Sequence, residues 1–219
     1  MATPKKANKI RDYDRTRKKL LEVIGEILKD TGFTGLKTNQ IARRLGKDKN
    51  LIRYYFQSLY NLEKEFIVEK DHWLAYFRKL ELPQDPAGEE LIVLVLAFVQ
   101  EHFDFFSRHQ ELQKIMLWQL TENSPLLKTI ADLREKESEK LLKAASPYLN
   151  PNVSLGAVLA LLFGGLYFLS LLEAAGNGPL WGMDMRLEKD RIALFHAVEQ
   201  ILRLALANGI DGLNADDAL

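Results

Sequence analysis

The sequence predicts an all-α fold, with an N-terminal three-helix head followed by a longer C-terminal helical bundle. Three observations predict it. Apolar residues recur at three- and four-residue spacing through most of the chain, the period of one helix face. No alternating run bounded by hairpin turns appears, so no sheet is expected. Gly32, Gly46, Pro83, Pro86, Pro125, Pro147 and Pro151 fall between the periodic segments, where helices start or stop. The 219 residues suit one large domain or two small ones, and 47% hydrophobic residues are ample for a core.

The zero net charge hides an asymmetry. Residues 1–79 hold 19 Lys and Arg against 10 Asp and Glu, whereas residues 80–219 hold 11 against 20. A basic front attracts polyanions, and phosphate contacts supply most sequence-independent DNA affinity. A basic tail that only adds solubility is the plain alternative. The absence of cysteine removes disulfides, thiol catalysis, Cys zinc sites and Fe–S clusters together. The first 19 residues are charged and polar, without the apolar h-region of a signal peptide, so a cytoplasmic protein is expected.

Residues 1–14 read as a basic, disordered lead. From Arg15 a helix carries Leu20, Val23, Ile24, Ile27 and Leu28 as one stripe, with Asp14 as N-cap and Gly32 as stop. A second, short helix opens at Thr38, whose hydroxyl is expected to cap it. Ile41, Ala42 and Leu45 form its inner face, and Gly46 makes the turn. Asp48 then caps a third helix running to about Phe56. Two short helices joined by a Gly-containing turn describe a helix-turn-helix. The third helix offers Lys49, Asn50, Arg53 and Tyr54, side chains that pair with phosphates or base edges, while Ile52 and Phe56 face inward.

The stretch 16–67 resembles the DNA-binding domain of the TetR family of transcriptional regulators. The resemblance is carried by Thr16-Arg17, Gly32-Phe33, Thr38, Ile41-Ala42 with Gly46 four residues after Ala42, Lys49, Ile52-Arg53-Tyr54-Tyr55-Phe56, and Ser58. Arg53 stands where the family usually has Tyr, and Tyr55 where it usually has His. Leu59 occupies the place of a common phosphate-donating Lys, for which Tyr60 can substitute. The match covers about a quarter of the chain. It implies a homodimeric regulator, a repressor, on a pseudo-palindromic double-stranded DNA operator. Thr38, Lys49, Asn50, Arg53, Tyr54 and Tyr60 would meet the DNA. It also implies a helix-turn-helix domain over 15–57, a helical effector-binding and dimerisation domain over 58–208, and an acidic tail over 209–219.

Ser58 caps a long fourth helix expected to reach about residue 80, with further helices near 88–108, 111–120 and 125–145. Residues 155–172 carry no charge over eighteen positions, which reaches the threshold for a membrane helix. Gly164 and Gly165 interrupt the run and strong basic flanks are missing, so a helix buried on two sides is expected, with no membrane. The last helix spans about 186–208. By resemblance these last two long helices form a four-helix dimer interface. Gly156, Ala160 and Gly164 would let a helix approach closely, and Phe195, Val198 and Leu202 would complete the contact.

The resemblance further implies an effector pocket. Its walls are expected among Trp73, Phe77, Phe98, Trp118 and Phe163, with His102, Gln119, Tyr167 and Ser170 as polar anchors. Each of these aromatics equally suits ordinary core. The composition leans toward an apolar, uncharged effector or a long-chain acid. No chemistry announces itself: the histidines at 72, 102, 109 and 196 show no metal-ligand spacing, and no phosphate loop or nucleophile elbow occurs. No catalytic residue, metal or cofactor is expected, and the chain does not read as an enzyme. The competing reading is a helical lipid or ligand carrier with an incidental basic head and no sequence-specific DNA binding.

Overall fold

The computed structural model describes residues 4–79, 81, 88–150 and 152–206. Among them the regular structure is helical: α1 Pro4–Thr31, α2 Thr38–Leu45, α3 Asn50–Phe56, α4 Leu59–Lys70, α5 His72–Lys79, α6 Gly88–Arg108, α7 Gln110–Thr121, α8 Pro125–Ala145, α9 Leu155–Ala174 and α10 Glu188–Ala205. Short 3-10 turns lie at Phe33–Gly35 and Ser146–Tyr148. The acidic tail expected over 209–219 lies outside the described residues. The chain forms two compact units. One takes residues up to Asp71 and again 109–132; the other takes 72–108 and 133 onward. The first unit thus includes α4 and α7, which both pack on α1.

In the first unit α1 buries Leu20, Ile24, Ile27 and Leu28 completely or nearly so. A Cβ at Gly25 would stand 3.3 Å from the Phe66 ring, so α1 and α4 meet closely there. The lead expected to be disordered is helical from Pro4. Proline suits a first helical position, and the Lys and Ala residues that follow favour helix. Farther along α1, Tyr13 packs on Tyr55 with ring centroids 4.6 Å apart. Asp14 consequently lies inside α1 and caps nothing. Gly32 ends the helix at φ 69°.

Local chemistry then sets the turns. Lys37 occupies the N-cap of α2 without a side-chain bond, and Thr38 is the first helical residue, so the expected Thr38 cap does not form. Gly46 closes α2 in the left-handed region, at φ 66° and ψ 32°, and its N–H returns to the carbonyls of Ala42 and Arg43. Asp48 Oδ1 accepts from the N–H of Asn50 at 2.6 Å and starts α3. Ser58 Oγ accepts from the N–H of Asn61 at 3.1 Å, and Asn61 Nδ2 donates to the Phe56 carbonyl at 2.9 Å, tying α4 to α3.

The expected long fourth helix is two helices. Asp71 is extended, at φ −73° and ψ 100°, and separates α4 from α5. Leu62, Phe66 and Ile67 serve the first core, while Leu74 and Phe77 are buried in the second unit. In that unit α6, α9 and α10 pack on one another, and α5 packs on α6. Phe98, Val99, Phe163, Leu166, Val198 and Leu202 belong to one buried cluster. Helix α9 is long and apolar enough to cross a membrane by length and composition. It nevertheless buries Leu155, Phe163, Leu166 and Ser170 in this core.

Candidate functional site

The first unit presents a basic, aromatic face. Ile52 and Phe56 are 4% and 3% exposed, and they pin α3 to the core. The opposite face of α3 exposes Asn50, Arg53 and Tyr54, the last at 65%, and Lys49 is exposed at its N-cap. Tyr54 sits edge-on to Tyr55 at 5.0 Å, within a cluster that includes Tyr13. Thr38 is half-buried at the start of α2, and Tyr60 is exposed in the first turn of α4. Arg44 is committed to Asp30 at 2.6 Å, and Arg17 pairs with Glu65 while lying 5.1 Å from the Phe56 ring centroid. Lys37, Arg43, Lys47, Lys49 and Arg53 make no ion pair among the described residues, and all five are exposed. Their ammonium and guanidinium groups are available to an external anion.

The second unit encloses a cavity of about 310 Å³. Trp73 and Phe77 of α5, Phe98 of α6, Leu141 and Leu142 of α8, and Leu159 and Phe163 of α9 wall it, with Glu135 and Ser138 as its polar members. A larger hollow of about 680 Å³ between α6 and α10 is open and lined by mixed charges, among them the paired Arg191 and Asp104.

Behind Trp73 runs a polar chain. The Trp73 indole N–H donates to Tyr167 Oη at 2.6 Å, and Tyr167 Oη lies 2.7 Å from His102 Nε2. His102 Nδ1 is 3.2 Å from His72 Nδ1, and His72 Nε2 is 3.3 Å from Glu101 Oε1. The carboxylate end sets the direction. A neutral His72 must carry its proton on Nε2 to donate to Glu101, so its Nδ1 accepts from His102 Nδ1–H. His102 Nε2 is then bare and accepts from the Tyr167 hydroxyl. Burial, reinforced by His72 and Arg134, holds the His102 imidazole well below its ordinary range, consistent with a neutral ring.

No protein-family profile matches the chain. The chain is similar to the HTH-type transcriptional repressor NicS of Pseudomonas putida, 32% identical over 126 residues. That match takes 56% of this chain and 55% of NicS, so it spans about half the length of the curated relative. Among solved structures, a regulatory protein of the tetR family from Rhodococcus RHA1 superposes with a TM-score of 0.58 at 18% identity, over 86% of this chain and 96% of its own. The transcriptional regulator FadR of Bacillus subtilis, in complex with stearoyl-CoA, superposes with a TM-score of 0.53 at 15% identity, over 84% and 96%. The chain has the TetR-family fold. These relatives are transcriptional regulators rather than enzymes.

On this TetR-type scaffold the expected site residues separate. Trp73, Phe77, Phe98 and Phe163 come together around the cavity, with His102 and Tyr167 behind them. Ser170 is buried against Ser107 at 2.9 Å, outside the cavity lining. Trp118 and Gln119 sit on α7 in the first unit, where Trp118 stacks on Phe33 at 5.6 Å, so they do not wall the cavity. Val198 and Leu202 are 2% and 0% exposed inside the second core and so are covered within one chain, whereas Phe195 is half-buried beside Phe103 and borders the open hollow. Gly156 and Ala160 border the cavity and are exposed. Gly164 is exposed, with nothing within 4 Å of where its Cβ would stand. Sequence reasoning did not single out the exposed apolar side chains: Leu161 and Phe168 on α9, and Ile192, Ile201 and Leu204 on α10. It also misses Tyr13, which lies within the lead and meets Tyr54 and Tyr55.

Proposed function

We propose that the chain is a TetR-type repressor that binds a pseudo-palindromic operator as a homodimer and releases it when a small molecule enters the second unit. The observation that carries this reading is the division of α3. Two apolar anchors lock the helix, and four exposed side chains with the right chemistry face outward. Arg53 and Asn50 suit base edges; Lys49, Thr38, Tyr54 and Tyr60 suit phosphates. The similarity to the repressor NicS supports repression, and the stearoyl-CoA bound by FadR supports ligand control.

The dimer would form on α9 and α10. Leu161 is 78% exposed and Leu204 67%, two of several apolar side chains on these helices that one chain leaves uncovered. A second copy, brought across a two-fold axis, would bury it and set two recognition helices about 34–36 Å apart or a multiple of that. Control is then linkage: a ligand shifts operator affinity by its differential affinity for the two states of the dimer.

Gel shifts with genomic fragments at graded salt test the function. Discrete retained fragments and a steep salt slope are expected. Uniform retention of all fragments, or none, would overturn it and favour the carrier reading. Sedimentation should show twice 25.1 kDa. Leu161→Glu should shift that species to the monomer and weaken operator binding; a Leu161→Glu protein that stays dimeric would exclude this face.

A further inference from the structure

The lining of the aromatic cavity is one-sided in its chemistry. Among the described residues, Glu135 supplies its only charge and no Lys, Arg or His lines it. Glu135 makes no ion pair among the described residues, whereas its neighbours Glu137 and Glu139 are held by Lys140 and Lys143 at 2.6 and 2.9 Å. Ser138 donates its hydroxyl proton to the Glu135 carbonyl at 2.8 Å, so it offers the cavity only lone pairs. The Trp73 N–H is likewise spent on Tyr167. The polar groups at the cavity are therefore acceptors.

Four aromatic rings stand in the walls. Trp73 lies 4.6 Å from Phe163 and 5.3 Å from Phe98, and Phe98 lies 5.0 Å from Phe77, ring centroid to ring centroid. Aromatic faces carry the negative end of the ring quadrupole and attract cations. Among the described lining residues, a carboxylate or phosphate would meet rings, lone pairs and a like charge, with no charged donor. The cavity is also at the small end of ligand sites.

We propose that this cavity binds a compact lipophilic organic cation, an aromatic or alkyl ammonium, with its body among the four rings and its charge toward Glu135. This replaces the long-chain acid that composition alone allowed. The inference rests on the effector reading of the same cavity.

Titration calorimetry on the full chain at pH 8 tests it with three probes of similar size: N-methylquinolinium, neutral quinoline and 1-naphthoate. N-methylquinolinium should bind about tenfold tighter than quinoline, as a cation–π site with a nearby carboxylate implies, and naphthoate should bind weakest. Glu135→Gln, at an exposed position, should remove most of the cation's advantage and leave quinoline unchanged. Equal or tighter binding of naphthoate, or an unaltered cation affinity in Glu135→Gln, overturns the proposal. The gel shift separates the two failures. Operator binding without cation binding sinks the ligand class alone, and cation binding by a protein that retains no DNA sinks the regulator reading alone.

Discussion

The two units bury apolar helix stripes with different side chains, and they place function differently. The first is built largely on aliphatic residues: Leu20, Ile24, Ile27, Leu28, Ile41, Leu62 and Ile67 are all at most 1% exposed. Its candidate binding groups sit outside, on α3 and the starts of α2 and α4. The second sets an aromatic cluster, Trp73, Phe77, Phe98, Phe103 and Phe163, among aliphatic residues such as Leu91, Val95 and Leu202, and it buries His102 and Ser170. Its candidate binding groups sit inside. An outward site needs a rigid helix and a few local caps. An inward site needs rings and hydrogen bonds from distant parts of the chain: Trp73 reaches Tyr167 across 94 positions and His102 reaches it across 65. Rigid aliphatic packing supports presentation, and a ring-lined interior with satisfied polar groups supports enclosure.

The largest expected effect separates core from surface. Phe98→Ala removes a 1% exposed ring and should cost about 3–5 kcal/mol in urea unfolding. A loss under about 1 kcal/mol would mean that the aromatic core is loosely packed. Arg53→Ala should leave unfolding unchanged yet cost about 1–3 kcal/mol of operator binding, with relaxed preference at one base pair. Binding to all sequences weakened alike would reassign Arg53 to a phosphate.

Smaller effects distinguish the two helix starts. Ser58→Ala removes a formed cap and should cost about 0.5–2 kcal/mol of stability. Thr38→Ala removes no cap and should change stability little while weakening operator binding. Equal destabilisation by both would contradict the difference between the two caps.

Acid should act on the units with opposite sign. Burial pushes the Glu63 carboxyl up to about 7 from an ordinary 4.5. Between those values the folded first unit holds a proton that the unfolded chain releases, so it gains stability as pH falls. His102 lies well below its ordinary 6.5. From 6.5 downward the unfolded chain takes a proton that the folded second unit refuses, so that unit loses stability. Going from pH 7.5 to 5.5, His102→Gln should therefore lose less stability than the parent, and Glu63→Gln should lose more. Urea midpoints at the two pH values read both, and a reversal of either sign would undo the contrast.

The sequence by itself determined the all-α class, the helices of the head, the turn at Gly46, the Ser58 cap, and which side of α3 faces out. Those features depend on residues within a few positions of each other. Ile52 and Phe56 lie one helical turn apart, and Asp48 reaches only as far as Asn50. Tertiary structure alone decided that Trp118 joins Phe33 in the head, that Asp71 divides α4 from α5, and that Val198 and Leu202 turn inward while Leu161 and Leu204 stay exposed. Periodicity tells which face of a helix is apolar, but not which of several apolar partners will cover it. Helix α9 is the limiting case, because its apolar residues surround it and no period distinguishes the face on the core from the face left open.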